Sequence, residues 1–148
     1  MIKSIVFVCL GNICRSPIAE GCARKKAETY NIEINVESSG TSSWHIGEAP
    51  CDNSIQVCKD NDVIISHFKA SQFTKQDISK YDLVIALDDS NINDLKNLGV
   101  TNLVKLGDYG YNSEDVPDPY FFDGFEGFDK VFTMIDTCIT ELFEREIK

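Results

Sequence analysis

The feature that most constrains this chain is an apolar run near its start that leads directly into a short loop and a helix. Five of the seven residues from Ile2 to Val8 are aliphatic or aromatic. Such a run, rich in β-branched side chains, is typical of a strand covered on both faces, as in a parallel sheet. Ser16 and Pro17 follow, a hydroxyl suited to a helix N-cap and a proline suited to the first helical position. We therefore expect a central strand over this run and a helix that continues to about Thr29.

Strands and helices alternate along the rest of the chain. Short apolar runs bounded by turn residues predict strands, and Gly99 is placed to end a helix. From Phe125 onward apolar residues recur every three or four positions, which predicts a closing amphipathic helix packed on the sheet. This alternation favours an α/β protein built on one βαβ-type sheet. The other predicted elements are strands at 34–38, 82–87 and 102–106, a brief extended piece at 63–66, and helices at 53–60 and 90–98.

Length, charge and cysteine usage limit the class of protein. A chain of 148 residues fits one domain, 1–148, and its net charge of −10 argues against a nucleic-acid partner. The longest apolar run is far shorter than the ~20 residues that span a bilayer, and no signal-peptide cleavage site follows it. Six dispersed cysteines without a CxxC pair indicate reduced thiols. We expect a cytoplasmic protein with no membrane span.

The loop after the first strand reads Cys-Leu-Gly-Asn-Ile-Cys-Arg-Ser, a C-x5-R-S sequence. A short loop between the carboxyl end of a central strand and a helix turns backbone NH groups inward and adds the positive end of the helix dipole. The result is an anion cradle that fits phosphate. Gly11 and Asn12 tolerate the left-handed backbone that such a loop needs. The loop holds no lysine and no G-x4-G-K-[ST] pattern, so a nucleotide P-loop is excluded.

Cys9 lies at the base of this predicted cradle, where the NH groups, the helix dipole and Arg15 would stabilise a thiolate nucleophile. The planar guanidinium of Arg15 can hold two phosphoryl oxygens at once. The hydroxyl of Ser16 can donate a hydrogen bond to the sulfur. The structural alternatives are a small buried residue at Cys9, a surface ion pair at Arg15 and a plain N-cap at Ser16.

A second motif, Val-Pro-Asp-Pro-Tyr, lies in a long loop at 107–124 that is rich in Gly and Pro. Taken alone, Asp-Pro indicates a turn. With the C-x5-R-S sequence near the N-terminus, however, it makes the chain resemble the low-molecular-weight protein tyrosine phosphatases over essentially its full length. The resemblance assigns Asp118 as general acid and then general base, a role that a carboxyl on a separate loop can fill. The rival carboxyls in the same loop are Asp108, Asp115 and Asp123.

The resemblance also implies a fold and an activity. The fold is a single-domain three-layer α/β sandwich, with a four-stranded parallel sheet in the order 2-1-3-4 flanked by helices. The activity is hydrolysis of phosphotyrosine in protein substrates through a phosphocysteine, without a metal or other cofactor and inhibited by phosphate-like oxyanions. Beside the catalytic Cys9, Arg15 and Asp118, the implied site comprises the loop residues Leu10, Gly11, Asn12, Ile13, Cys14 and Ser16, the substrate rim Trp44, His45 and Tyr120, and the supporting side chains Ser38, His67 and Asp88.

Three alternatives use the same cradle. A thioredoxin-coupled arsenate reductase needs two further cysteines after the middle of the chain, and residues 82–106 contain none. The phosphoarginine phosphatases usually carry threonine where Ile13 stands. A non-catalytic phosphate-binding module has no need of Cys9, Ser16 and Asp118 together. Phosphotyrosine hydrolysis is the function that the residues favour.

Cys14 shares the loop with Cys9 and has two interpretations of equal weight. It packs beneath the loop, or it is a resolving thiol that forms a disulfide with Cys9 under oxidants. The sequence does not separate them.

Overall fold

The computed structural model describes residues 1–119 and 125–148 and is built on one parallel sheet. Its strands are β1 (Ser4–Cys9), β2 (Asn35–Gly40), β3 (Leu83–Ala86) and β4 (Leu103–Lys105). They are hydrogen-bonded in the order β2-β1-β3-β4, and every pairing is parallel. The predicted sheet order 2-1-3-4 is therefore confirmed.

Helices cover both faces of the sheet. They are α1 (Arg15–Thr29), α2 (Asp52–Asp60), α3 (Asp89–Leu98) and α4 (Glu126–Leu142). Short helical turns at Lys75–Asp77, Leu106–Asp108 and Phe143–Ile147 complete the regular structure of the described residues. The four predicted helices agree with these bounds to within two residues, including the end of α3 at Gly99, whose φ of 110° is left-handed.

Two apolar clusters hold the three layers together. The side chains of β1 alternate, so Ile5 and Phe7 belong to the larger cluster while Val6 and Val8 belong to the smaller one. The larger cluster includes residues of α1, α2 and α4, and the smaller one includes Leu95 of α3. All four of these β1 side chains are fully buried, as the continuous apolar run predicts.

One local prediction is wrong. Ser16 is not the N-cap of α1: the helix begins at Arg15, Cys14 occupies the cap position, and the Ser16 hydroxyl is bonded elsewhere. The extended piece predicted at 63–66 forms no strand of the sheet. Val63 and Ile65 instead bury their side chains against α1, and the methyl carbon Cγ2 of Ile65 would lie 2.5 Å from a Cβ atom at Gly21. Only glycine at position 21 permits that close approach.

The carboxyl ends of the strands bring the functional loops to one edge. The loop after β1 leads into α1, Asp88 follows β3, and the segment after β4 begins the long loop toward Asp118. A crevice outside the carboxyl ends of the strands is where open α/β sheets bind ligands. Within the described residues, no helix is both long and apolar enough to cross a membrane.

Candidate active site

Cys9 ends β1 with its thiol at the centre of the following loop. The residue is 3% exposed, and its Sγ accepts a hydrogen bond from the Asn12 backbone NH at 3.3 Å. The Ser16 hydroxyl lies 2.9 Å from the same sulfur. Since α1 begins at Arg15, the positive end of its dipole also faces this loop. The NH group, the hydroxyl and the positive end of the helix dipole therefore all lie around the Cys9 sulfur.

The side chain of Asn12 fixes the shape of the loop. Asn12 has a φ of 58°, in the left-handed region that asparagine tolerates. Its Nδ2 donates to the hydroxyls of Ser16 at 2.8 Å and Ser38 at 2.9 Å, and its Oδ1 accepts from the Ser71 backbone NH at 3.0 Å. The buried amide therefore joins the loop to α1, to β2 and to the segment after residue 70. The structure thus brings Asn12, Ser16 and Ser38 together.

Glu20 extends this network and was missed by sequence analysis. Its carboxylate accepts from the Ser38 hydroxyl at 2.6 Å and from Arg24 at 2.8 Å. Burial raises the pKa of Glu20, and the bonds from Ser38 and Arg24 offset only part of that rise. A continuous chain of hydrogen bonds therefore runs from a buried carboxyl to the Cys9 sulfur. The available signal was a lone charged residue in the otherwise apolar or small stretch 18–23.

Arg15 is held in place by two acceptors on different elements. Its Nη1 donates to Asp88 Oδ2 at 2.7 Å and to the Val116 carbonyl at 2.9 Å. Asp88 also caps α3, because its Oδ1 accepts from the Asn91 backbone NH at 2.8 Å. Burial alone would lower the pKa of Arg15, but the charges of Cys9, Asp88 and Asp118 outweigh burial and raise it. The guanidinium is thus a fixed cation beside the sulfur.

A cavity of about 200 Å³ opens above the sulfur. The Trp44 side chain stands at its mouth with 72% of its surface exposed. His45 packs against Gly11, where an added Cβ would lie 3.0 Å from the ring carbon Cδ2, and its Nδ1 lies 2.9 Å from Glu48 Oε2. The cavity is lined by Cys9, Leu10, Gly11, Ile13, Cys14, Arg15, Trp44, His45 and Asp118.

The loop that carries Asp118 is held by a lysine that sequence analysis also missed. Lys105, buried at the end of β4, pairs with Asp115 at 2.7 Å and with Asp89 at 2.9 Å, and it donates to the Ser113 carbonyl. The hydrogen bond from Lys105 is the main reason that the pKa of Asp115 lies below its ordinary value. The Asp115 carboxylate is therefore paired with Lys105, whereas Asp118 lines the same cavity as Cys9.

One predicted site residue, His67, lies away from the nucleophile. His67 is exposed, stacks edge-on against Phe68 at 4.7 Å, and lines a separate groove of about 490 Å³ along α1. The acceptor of Asn12 is satisfied by the Ser71 backbone rather than by His67. Tyr120, and Asp123 among the rival acids, lie outside the described residues. In the part of the chain that is described, no three His, Cys, Asp or Glu side chains are grouped to hold a metal ion.

Comparisons with known proteins agree with this geometry. The family profile described as low molecular weight phosphotyrosine protein phosphatase matches residues 4–148. The low molecular weight protein-tyrosine-phosphatase PtpA of Staphylococcus saprophyticus is 36% identical over 150 residues, covering 98% of this chain and 94% of that protein.

Solved structures match over nearly the whole chain. The crystal structure of Primo-1 superposes with a TM-score of 0.92 at 28% identity, covering 99% of both chains. Wzb of Vibrio vulnificus, solved in complex with benzylphosphonate, has a TM-score of 0.87 at 26% identity and covers 97% of this chain and 98% of its own. By profile, relatives and fold alike, the chain belongs to the low molecular weight phosphotyrosine protein phosphatase family.

Proposed function

We propose that this protein hydrolyses phosphotyrosine in protein substrates through a covalent phosphocysteine on Cys9. The Cys9 thiolate attacks phosphorus, and the bond to the tyrosyl oxygen breaks as Asp118 donates a proton to that oxygen. Asp118 then accepts a proton from water as the water oxygen attacks the thiophosphate, which releases inorganic phosphate and restores the thiolate. Arg15 and the loop NH groups stabilise the charge on the phosphoryl oxygens in both steps.

One observation carries this proposal: a buried sulfur lies within hydrogen-bond distance of the Asn12 NH and the Ser16 hydroxyl, in a cavity that Arg15 and Asp118 also line. A phosphate-binding module would need the donors alone. Placing a nucleophile, a cation and a carboxyl in one cavity supplies the groups that phosphoryl transfer requires.

The rim of the cavity supports an aromatic leaving group. The exposed ring of Trp44 and the half-buried ring of His45 offer flat surfaces on which a phenyl ring can stack at little entropic cost. The sequence assigns Tyr120 to the same rim. The benzylphosphonate bound to Vibrio vulnificus Wzb is a phosphonate carried on a benzyl group, so a phosphorylated aromatic side chain is the matching substrate here.

We further propose that residues 1–148 act as one catalytic domain in the cytoplasm. All six cysteines are present as thiols, which fits a reducing compartment. The net charge of −10 disfavours nucleic acid as a partner, so the proposed partner is a tyrosine-phosphorylated protein.

The test compares the purified protein with Cys9→Ser on phosphotyrosine, phosphoarginine and arsenate. We expect turnover of phosphotyrosine by the unaltered protein with or without a chelator, and no turnover by Cys9→Ser. Vanadate should still bind to Cys9→Ser, measured by calorimetry, because the loop donors remain. Cys58→Ala, which removes a fully buried thiol on α2, is the matched control and should stay active. An active Cys9→Ser protein, or faster turnover of phosphoarginine or arsenate, would reject the proposal.

A further inference from the structure

Cys14 and Cys51 bring two thiols together beside the nucleophile. Their sulfurs are 2.8 Å apart, although the residues are 37 positions apart in the chain. Each thiol occupies the N-cap position of a helix, Cys14 before α1 and Cys51 before α2. Both residues are partly exposed, whereas the thiols of the core are buried. This arrangement differs from the sequence interpretation, in which Cys14 either packs or pairs with Cys9.

Hydrogen bonds hold the backbone segments around Cys14 and Cys51 next to each other. The Cys51 NH donates to the Ile13 carbonyl at 2.7 Å, and the Ser54 hydroxyl donates to the Cys14 carbonyl at 3.0 Å. The same hydroxyl lies 3.0 Å from the Cys51 sulfur. A disulfide needs its two Cα atoms within about 7 Å of each other. Two backbone-directed bonds across the pair hold the segments close without any change of fold.

Cys14 is also within reach of the nucleophile, because it lines the same 200 Å³ cavity as Cys9. Contact with Cys51, followed by burial and the charges of Cys9 and Asp118, raises the pKa of Cys14 far above its ordinary value. Cys14 is therefore a poor first target for an oxidant, since the thiolate is the form that attacks a peroxide. We expect oxidation to enter at Cys9, whose sulfur lies beside the Asn12 NH and the Ser16 hydroxyl in the cavity that Arg15 also lines.

We propose that Cys14 and Cys51 form a disulfide site that takes up the oxidation of Cys9 by a hydroperoxide and returns Cys9 to its reduced state. The proposal rests on the proposed function only in requiring Cys9 as a thiolate. The substrate of this second site is the oxidised Cys9 sulfur. The product is a bridge that ties the phosphate-binding loop to the start of α2.

The proposed oxidation begins at Cys9 and ends at the Cys14–Cys51 pair. The Cys9 thiolate attacks one oxygen of hydrogen peroxide, the O–O bond breaks, and with one proton the products are Cys9 sulfenic acid and water. Cys14 gives its proton to the departing hydroxyl and attacks the Cys9 sulfur, so that the S–O bond breaks, water leaves and a Cys9–Cys14 disulfide forms. Cys51, losing its proton, attacks the Cys14 sulfur, and Cys9 leaves as a thiolate. In sum, one peroxide and two thiols give one disulfide and two waters.

The direction of the last exchange follows from the leaving group. A thiolate that is better stabilised leaves faster from a disulfide. Cys9 leaves toward the Asn12 NH and the Ser16 hydroxyl, beside the fixed cation Arg15, and these groups stabilise the departing negative charge. Attack by Cys51 on Cys14 therefore favours release of Cys9. The buried Cys58, whose pKa burial raises to about 12, has no comparable position and stays a thiol.

Tryptic peptides distinguish the two disulfides. Cleavage leaves Cys9 and Cys14 together in peptide 4–15, and Cys51 with Cys58 in peptide 27–59. A Cys9–Cys14 bridge is therefore internal to one peptide, whereas a Cys14–Cys51 bridge joins the two. The experiment treats the reduced protein with a limiting dose of peroxide, blocks free thiols, digests without reductant and quantifies both forms. Cys51→Ser is the test variant and Cys58→Ala is its matched control.

We expect the joined peptide to dominate in the unaltered protein and in Cys58→Ala, and to be absent in Cys51→Ser, which should accumulate the internal bridge. Relative to its own reduced activity, Cys51→Ser should lose at least severalfold more phosphatase activity for the same dose, and a dithiol reductant should restore it. A joined peptide that persists in Cys51→Ser, or equal losses in all three proteins, would overturn the proposal. An inactive reduced protein that still forms the joined peptide would instead reject the proposed function alone.

Discussion

The two loops that supply the proposed catalytic groups are held by different means. Apart from the ion pair of Arg15 with Asp88, residues 9–16 are fixed by short hydrogen bonds among neutral, buried or partly buried side chains, centred on Asn12. The loop toward Asp118 is fixed mainly by Lys105, which pairs with two carboxylates that are half-exposed or more. Buried neutral hydrogen bonds are insensitive to salt, whereas exposed ion pairs are screened by it.

The proposed nucleophile and the proposed acid therefore differ in how firmly they are held. The thiol and the phosphate cradle are preorganised before substrate arrives, so transition-state charge meets donors that are already in place. The acid depends on a charge pair at one side of its loop, on the bond from Arg15 to the Val116 carbonyl, and on the bond from the Val116 NH to the Leu87 carbonyl at 2.8 Å. We therefore expect the attack step to be robust and the proton transfer to be the step most easily perturbed.

The largest effect that tests this comparison is Asp118→Asn. General acid catalysis typically contributes about 10²- to 10⁴-fold, so kcat for phosphotyrosine should fall by that factor. The loss should shrink for aryl phosphates whose phenols are acidic, because such phenols depart without a proton. A plot of log kcat against leaving-group pKa should therefore steepen in the variant.

Asp108→Asn is the matched control in the same loop. Asp108 accepts a hydrogen bond from the Ser113 hydroxyl and does not line the cavity. Its replacement should leave the slope of that plot unchanged. If Asp118→Asn also leaves the slope unchanged, the acid is another residue, and Asp123, outside the described residues, becomes the next to test.

The second-largest effect is expected at Asn12, whose replacement tests whether its hydrogen bonds hold the loop at residues 9–16 in shape. Replacing Asn12 by glycine removes the bonds to Ser16, Ser38 and Ser71 but keeps the left-handed backbone accessible. Since a displacement of about 1 Å at a reacting group can cost 10²-fold, kcat should fall by on the order of 10² with every leaving group alike.

Asn12→Ala separates hydrogen bonding from backbone strain. Alanine at a φ of 58° adds a strain of roughly 1 to 2 kcal/mol that glycine avoids. Both variants should lose the same activity, and thermal unfolding should show alanine to be the less stable. Full activity in Asn12→Gly would show that the amide bonds do not hold the nucleophile.

The contrast between the loops also explains what the sequence could predict. The strand, the C-x5-R-S loop and α1 are contiguous, so their spacing alone indicated a thiol, a cradle and a cation. The predicted N-cap, Ser16, lies two positions after the observed one, Cys14, because a hydroxyl at this place suits both a helix cap and a contact with the sulfur. The apolar pattern at 63–66 predicts an extended piece, but the close contact of Val63 and Ile65 with Gly21 on α1 cannot be read from that pattern.

The missed residues act across the sheet rather than along the chain. Glu20 reaches the nucleophile through Ser38 on β2, Lys105 reaches Asp89 and Asp115 from β4, and Cys51 reaches Cys14 from the start of α2. Each is an ordinary residue type whose role depends on a partner from another segment. No spacing rule within one segment can identify such pairs. Parallel sheets place all of these partners at one edge only after folding.

Lys105→Met should have a smaller effect on kcat, and it tests whether the ion pairs of Lys105 position the loop that carries Asp118. Loss of a partly exposed pair is worth about 1 kcal/mol, so kcat should fall roughly three- to tenfold. A residue that positions the acid should also steepen the leaving-group plot, as Asp118→Asn does but less. Raising salt from about 50 mM to about 500 mM should lower kcat of the unaltered protein more than that of Lys105→Met.

Lys96→Met is the control for charge alone, because Lys96 is an exposed lysine of α3 with the same net effect on charge. It should change neither the slope nor the salt response. Identical salt responses in the unaltered protein and in Lys105→Met would show that the ion pairs do not position Asp118.

The smallest effect concerns Glu20, the charged end of the otherwise neutral network around the nucleophile. Because burial raises the pKa of Glu20 in the folded protein, the native state binds a proton on the Glu20 carboxyl more tightly than the unfolded chain does. The stability contributed by this group is therefore full below the unfolded pKa, near pH 4.3, and is lost as pH rises through the folded value. Glu20→Gln cannot titrate, so the free energy of unfolding of the unaltered protein, minus that of the variant, should decrease from about pH 4 to about pH 7 in urea titrations. A difference that increases over this range would mean that the bonds from Ser38 and Arg24 outweigh burial, so that the nucleophile loop, like the acid loop, is held by charge.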